Sequence, residues 1–309
     1  MTQSYKAEKR TEYIVPEEMK RVWHVEMELL KQLLDVCRQY NLRCWMDGGS
    51  LLGTVRHHGF IPWDDDIDVC MPRPDYDRLV GLSHQAFQEP YFLQSVYSED
   101  DYFRGHAQLR RSGTAAIRPS ESYRSFHQGI FIDIFPLDGV PTNEKDCQET
   151  LKAIRYTYKM LKAEHLNVFF SGRWGQVFRK LKSRRYIQKY GRIPLFAHTE
   201  LLLRCTPTDQ SDYWAELAFS GTDIVLRREI FDETVWMPFE NMQVPVPKGF
   251  DELLTTQYGA DYMTPRQDPS YHGEIVFSTT RDYREVAPEV FRAYKWSALS
   301  RLFKKLFRK

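Results

Sequence analysis

Residues Ile61-Pro62-Trp63-Asp64-Asp65-Asp66-Ile67-Asp68-Val69 set four carboxylates among apolar, β-prone side chains. Like charges at this density repel wherever water is excluded, so a fold that buries them must supply a cation. On a strand, alternate side chains share a face. Asp66 and Asp68 would then point one way, about 7 Å apart, and Ile67 and Val69 the other. Two carboxylates so arranged can converge on one or two divalent ions, and hard oxygen donors suit Mg2+, with Mn2+ as the second choice. Asp64 and Asp65 have the more ordinary reading of a turn or a helix-capping region.

What precedes the acids sharpens them. The run Arg43-Cys44-Trp45-Met46 leads into Asp47-Gly48-Gly49-Ser50 and then Leu51-Leu52-Gly53-Thr54-Val55-Arg56. A strand, a glycine turn and the start of a helix describe an anion cradle. Glycine lets the backbone approach a phosphate, and the helix start offers free N–H groups at the positive end of its dipole. A Gly-Ser turn followed shortly by Asp-x-Asp resembles the nucleotidyltransferase fold. The continuous stretch Gly48 to Asp68 resembles, more closely still, the LicD family of phosphotransferases, whose eukaryotic relatives include fukutin and the fukutin-related protein. The likeness continues at Gly129-Ile130-Phe131-Ile132-Asp133-Ile134-Phe135-Pro136-Leu137-Asp138-Gly139. It is fainter over Lys248 to Gly259 and Tyr262 to Gly273.

The resemblance implies roles. Asp66 and Asp68 would hold the metal, with Asp133 as third carboxylate on a neighbouring strand. Read from its residues alone, an acid such as Asp133 inside an apolar run must be paired or metal-bound, and a strand-end Asp bound to an arginine fits Asp138 better. Asp133 is also a plausible base for an attacking hydroxyl. Gly48, Gly49 and Ser50 would hold a phosphate, with Arg56, Arg110 and Arg111 as candidate cations for its oxygens. Each of these arginines reads equally as a structural ion-pair residue. His57 and His58 suit a helix end, Trp63 packing, and His272 a contact to substrate. The resemblance further implies a CDP-activated alcohol as donor, CDP-choline or CDP-ribitol. The acceptor would be a sugar hydroxyl of a teichoic acid, lipopolysaccharide or lipid-linked glycan precursor, and CMP the product. A nucleotidyltransferase moving a nucleoside monophosphate from an NTP would use the same acids.

The 309 residues carry a net charge of +1, which argues against a nucleic-acid binder. Five scattered cysteines without a Cys-x-x-Cys pair suggest reduced thiols in a cytoplasmic protein. Neither a signal core nor a membrane span is visible. Between His165 and Thr199 there is no Asp or Glu, while eight lysines and arginines from Arg173 to Arg192 alternate with apolar residues such as Phe178 and Leu181. The C-terminus repeats the theme, with Trp296, Leu299, Leu302, Phe303, Leu306 and Phe307 on one stripe among basic residues. Such helices suit the cytoplasmic surface of an anionic membrane.

Apolar spacing predicts a helix from Glu17 to Tyr40, another from Asp75 to Phe87, and a long one from Glu144 to His165 capped by Thr142 or Asn143. Strands are expected at Tyr91–Tyr97, at Ala107–Ile117 with an interruption near Arg110–Gly113, and at Ile130–Phe135. The expected fold is α/β (α+β), a nucleotidyltransferase-like mixed sheet flanked by helices. A catalytic core over 1–141 is followed by a mainly helical region over 142–309.

Overall fold

The computed structural model describes residues 5–164, 177–219, 224–267 and 274–306, and side chains in all of these except 162–164 and 297–306. A hairpin of β1 (Glu8–Arg10) and β2 (Tyr13–Val15) leads into α1 (Glu17–Tyr40). Next come β3 (Trp45–Met46), α2 (Gly48–His57), β4 (Asp68–Pro72), α3 (Arg73–Gly81) and α4 (Ser83–Ala86). They are followed by β5 (Tyr91–Gln94), β6 (Ala107–Arg111), β7 (Ala115–Ile117) and β8 (Ile130–Gly139). The C-terminal half has α5 (Glu144–Glu164), α6 (Val177–Tyr190) and α7 (Arg192–Leu203), then β9 (Tyr213–Ala215), β10 (Leu226–Arg227), β11 (Thr234–Phe239) and β12 (Met242–Pro247). The last elements are α8 (Phe250–Tyr258), β13 (Val276–Ser278) and α9 (Tyr283–Leu306).

The architecture is the expected mixed sheet flanked by helices. β8 is its axis, parallel to β4 on one side and antiparallel to β6 and β9 on the other. All ten of its residues are buried, which explains why it reads as a continuous apolar run broken only by acids. α1 turns Leu29, Leu30 and Leu33 into the core, each with no exposed surface. The spacing of these residues is that of one helix face.

Several boundaries differ from the sequence reading. The helix expected from Asp75 to Phe87 starts at Arg73 and breaks into α3 and α4 after Gly81, the weakest helix former in the run. The strand expected over Ala107–Ile117 is indeed interrupted, by a turn with Gly113 at φ +78°. Asn143 is the cap of α5, its Oδ1 accepting from the N–H groups of Lys145 at 2.9 Å and Asp146 at 3.3 Å. The region after residue 141 also supplies strands to the front of the chain: β9 pairs with β8, and β13 with β7.

Candidate active site

The acids meet where β4 begins. Asp68 is the first residue of β4 and stands in register with Asp133 of β8, its parallel neighbour. Adjacent in-register residues of a sheet project to the same face, so the two carboxylates are brought together by the pairing itself. Asp66 lies before the strand rather than on it, which corrects the simple alternation expected for the pair. One oxygen each from Asp66, Asp68 and Asp133 nevertheless lie within 4.8 Å of one another. Asp64 and Asp65 follow a turn closed by the bond from the Asp64 N–H to the Ile61 carbonyl, 2.9 Å, in keeping with their turn reading. Their carboxylates converge with that of Asp66.

This concentration of charge is costly. At an effective dielectric near 20, a pair of unit charges 4.8 Å apart repels by roughly 3 to 4 kcal/mol. Burial pushes Asp68 well above the usual carboxylate range, helped by Asp66 and Asp133. Asp133 behaves in the opposite way. Burial would raise it, but His106, Arg104 and Gln108 outweigh burial and lower it to about 2. Gln108 donates from Nε2 to Asp133 Oδ1 at 2.5 Å, and His106 Nε2 stands 3.1 Å from the same oxygen. An acid held that firmly ionised suits a metal ligand and makes a weak base.

A further carboxyl was hidden in the sequence. Glu26 projects from the core face of α1, 1% exposed, with Oε2 lacking a hydrogen-bond partner among the described residues. Burial raises it strongly, and the charges of Asp66, Asp65, Asp64 and Asp133 add to the effect. The only sequence signal was an acid at a helix position reserved for apolar residues.

The glycine run is the first turn of α2, with Asp47 as its N-cap. Gly48 sits at φ +51°, and a Cβ there would lie 3.2 Å from Asp68 Oδ2. At Gly49 a Cβ would come within 2.6 Å of Asp64 Oδ2. Glycine is therefore needed because the acids press against the helix start, whose dipole favours them. Ser50 is buried and accepts the Asp68 N–H on Oγ at 2.9 Å, so its hydroxyl fixes the beginning of β4.

A cavity of about 650 Å3 opens on Asp47, Gly48, Asp68 and Asp133. Its cations are not those the sequence suggested. Arg110 is buried away from it, donating to Gln94 Oε1 at 2.5 Å and the Gly129 carbonyl at 2.7 Å, and burial lowers it to about 10. Arg111 faces α1, 3.7 Å from Glu28. Arg56 ties α2 to the loop after α8 through the Tyr262 carbonyl, 2.7 Å. All three make structural contacts, the alternative left open for each, and none lines this cavity. Arg104 and Arg118 line the cavity instead, with His106 beside them, and Arg104 is also ion-paired with Glu121 at 2.7 Å. His57 is pushed down to about 4 by burial and by Arg56, and His58 is the left-handed cap of α2. Trp63 packs edge-on against Tyr13 and His57. His272 lies outside the described residues.

Hard oxygen donors of this number and spacing fit a divalent cation such as Mg2+ or Mn2+, and the partnerless Glu26 oxygen beside the cluster is in keeping with that fit.

Residues 41–167 match the LicD/FKTN/FKRP nucleotidyltransferase domain. Over 258 residues the chain is 28% identical to the lipopolysaccharide cholinephosphotransferase LicD of Haemophilus influenzae, covering 80% of this chain and 92% of that protein. The human ribitol 5-phosphate transferase FKRP is 33% identical over 81 residues, 25% of this chain and 16% of FKRP.

Proposed function

This chain carries a LicD-family nucleotidyltransferase domain and is a transferase of that family, and we propose that it moves a phospho-alcohol from a CDP-alcohol to a glycan hydroxyl. The observation that carries the reading is the in-register pair Asp68 and Asp133, joined by Asp66, at the mouth of a cavity that also holds two arginines. CDP-choline is the donor favoured by the likeness to LicD over most of the chain, and the acceptor is a sugar of a surface glycan or its lipid-linked precursor.

Asp66, Asp68 and Asp133 would hold Mg2+, or Mn2+ in its place. A bound ion there supplies charge neutralisation for the pyrophosphate and its leaving oxygen. The protein contributes the rest. Gln108 and His106 keep Asp133 ionised and oriented. Arg104 and Arg118 present cations to the phosphate oxygens, and α2 presents its N-terminus. The sugar hydroxyl oxygen bonds to the phosphorus bearing the alcohol and gives up its proton to water, the bridging P–O bond breaks, and CMP leaves with the electron pair.

The same enzyme would work at the cytoplasmic face of a membrane. On α6, Phe178 and Leu181 are 85% and 52% exposed in a segment free of acids. No described helix is long and apolar enough to cross a bilayer. The stripe Leu299 to Leu306 falls on side chains outside the described set, as do Phe307 and residues 165–176. Flotation with phosphatidylglycerol vesicles checks the surface reading: Phe178→Ser with Leu181→Ser should reduce binding, and unchanged binding would contradict it.

The reaction itself is tested by incubating the protein and Mg2+ with CDP-choline, CDP-ribitol or an NTP. Release of CMP from a CDP-alcohol supports the proposal. Pyrophosphate from an NTP, with no CMP from either CDP-alcohol, identifies nucleotide transfer instead.

A further inference from the structure

The cavity that opens on Asp68 and Asp133 has a second wall of different chemistry. Phe135 follows Asp133 by two residues on β8, so it stands on the same face of the strand. Phe219 packs on it with ring centroids 5.0 Å apart and planes at 52°. His106 closes the corner, 4.6 Å from Phe135 and 5.8 Å from Phe219. Glu216 and Tyr258 line the same cavity, and the Tyr258 hydroxyl reaches the α2 start beside Gly48. Glu216 is hydrogen-bonded to Asp47, which lines the same cavity.

Glu216, Phe219 and Tyr258 all lie outside residues 41–167, the stretch matched by a domain family that spans LicD and FKRP. Those two relatives are named for different cargoes, choline phosphate and ribitol 5-phosphate. Cavity residues outside that stretch are therefore the first place to look for what tells the alcohols apart.

We propose that Glu216, Phe135, Phe219 and Tyr258 form the pocket for the transferred alcohol and select a quaternary ammonium head group over a polyol. The inference rests on the phosphotransferase reading above and adds to it the residues that recognise the cargo. A quaternary ammonium has no N–H to donate and is held by ring faces and a nearby negative charge. A polyol needs a directional partner for each hydroxyl; Glu216 and Tyr258 offer partners, but Phe135, Leu137, Phe219 and Ile224 offer none from their side chains. The order along β8 suits the cargo. The carboxylate Asp133 comes first, where the phosphates would be held, and the aromatic corner follows one strand repeat later, within reach of a short two-carbon arm.

The test is equilibrium binding to the full chain with Mg2+, using CDP-choline, CDP-ribitol and CMP as probes. CDP-choline should bind the wild-type protein about tenfold more tightly than CDP-ribitol. Glu216→Gln and Phe219→Leu should each weaken CDP-choline about tenfold while changing CMP by less than about twofold. Phe219 is 65% exposed and Gln is isosteric with Glu, so both variants should melt like the wild type. Equal binding of the two CDP-alcohols would overturn the inference. So would a loss of CMP affinity matching that of CDP-choline, because the rings would then be stacking on the base. If no cytidine compound binds the wild type, the donor assignment fails separately. Choline alone then decides the pocket by saturation-transfer NMR: a signal lost in Phe219→Leu upholds it, and no wild-type signal refutes it.

Discussion

β8 buries two aspartates, and it handles their charges differently. Near its end, Asp138 has no exposed surface and receives Arg73 in a two-pronged ion pair, Nε at 2.6 Å and Nη2 at 3.0 Å. The cation is built in, and it ties α3 to the sheet. At mid-strand, Asp133 is met by Gln108 and His106, and its neighbours in space are further acids. There Arg104 and His106 hold Asp133 ionised while Asp66 and Asp68 crowd it, and an incoming cation would offset that crowding. A fixed partner makes an acid structural, whereas an exchangeable one makes it available for chemistry.

Four substitutions or titrations would break or sharpen that contrast. The largest effect is expected at Asp68→Asn, which should lower turnover by roughly a thousandfold or more while leaving the metal-free melting temperature the same or higher. Loss of activity together with a collapse in stability would place Asp68 with Asp138 instead. Asp138→Asn should do the reverse, costing about 3 to 5 kcal/mol in urea unfolding because buried Arg73 loses its two-pronged partner and keeps only the longer contact to Asp77, 3.6 Å. Gln108→Leu should weaken Mn2+ binding by roughly 10- to 100-fold, measured calorimetrically, because the hydrogen bond that orients Asp133 is removed. The smallest effect is in pH dependence. Asp68 is raised in the folded state, so above the ordinary carboxylate pKa the unfolded chain has lost a proton that the native protein keeps. Metal-free stability should therefore fall as pH rises from about 4 toward the raised value, by at most about 1.4 kcal/mol per unit. Asp68→Asn should flatten that slope in melting curves recorded with EDTA, and Mg2+ should flatten it in the wild type.

Much of this site was legible because its chemistry is contiguous. Gly48 to Asp68 and Gly129 to Gly139 carry the helix start and the three acids in two short stretches, and a buried strand leaves an acid conspicuous among Ile and Phe. The ion-pair reading of Asp138 could be made for the same reason. Arginine gives no such signal. Arg110 and Arg111 lie on β6 next to Gln108, yet Arg110 is two residues further along the strand from Asp133 and Arg111 is on the opposite face. Arg104 and Arg118, which do line the cavity, lie just outside the strands that were read. Glu26, Glu216 and Phe219 depend on long-range packing, which no local pattern reports. The position of Asp66, just ahead of β4, differs from the expectation because a two-residue difference in strand start is beyond what alternation can fix.

The central claim is that Asp66, Asp68 and Asp133 form a site for a divalent cation. Thermal unfolding of the full chain across a Mn2+ titration, begun from EDTA-treated protein, tests it most directly. A ligand that binds only the folded state stabilises it by about 2.7 kcal/mol at a hundred times its Kd. The wild type should gain melting temperature steadily with Mn2+, and Asp68→Asn should gain almost none over the same range. An equal gain in both proteins, or none in the wild type, would contradict the claim.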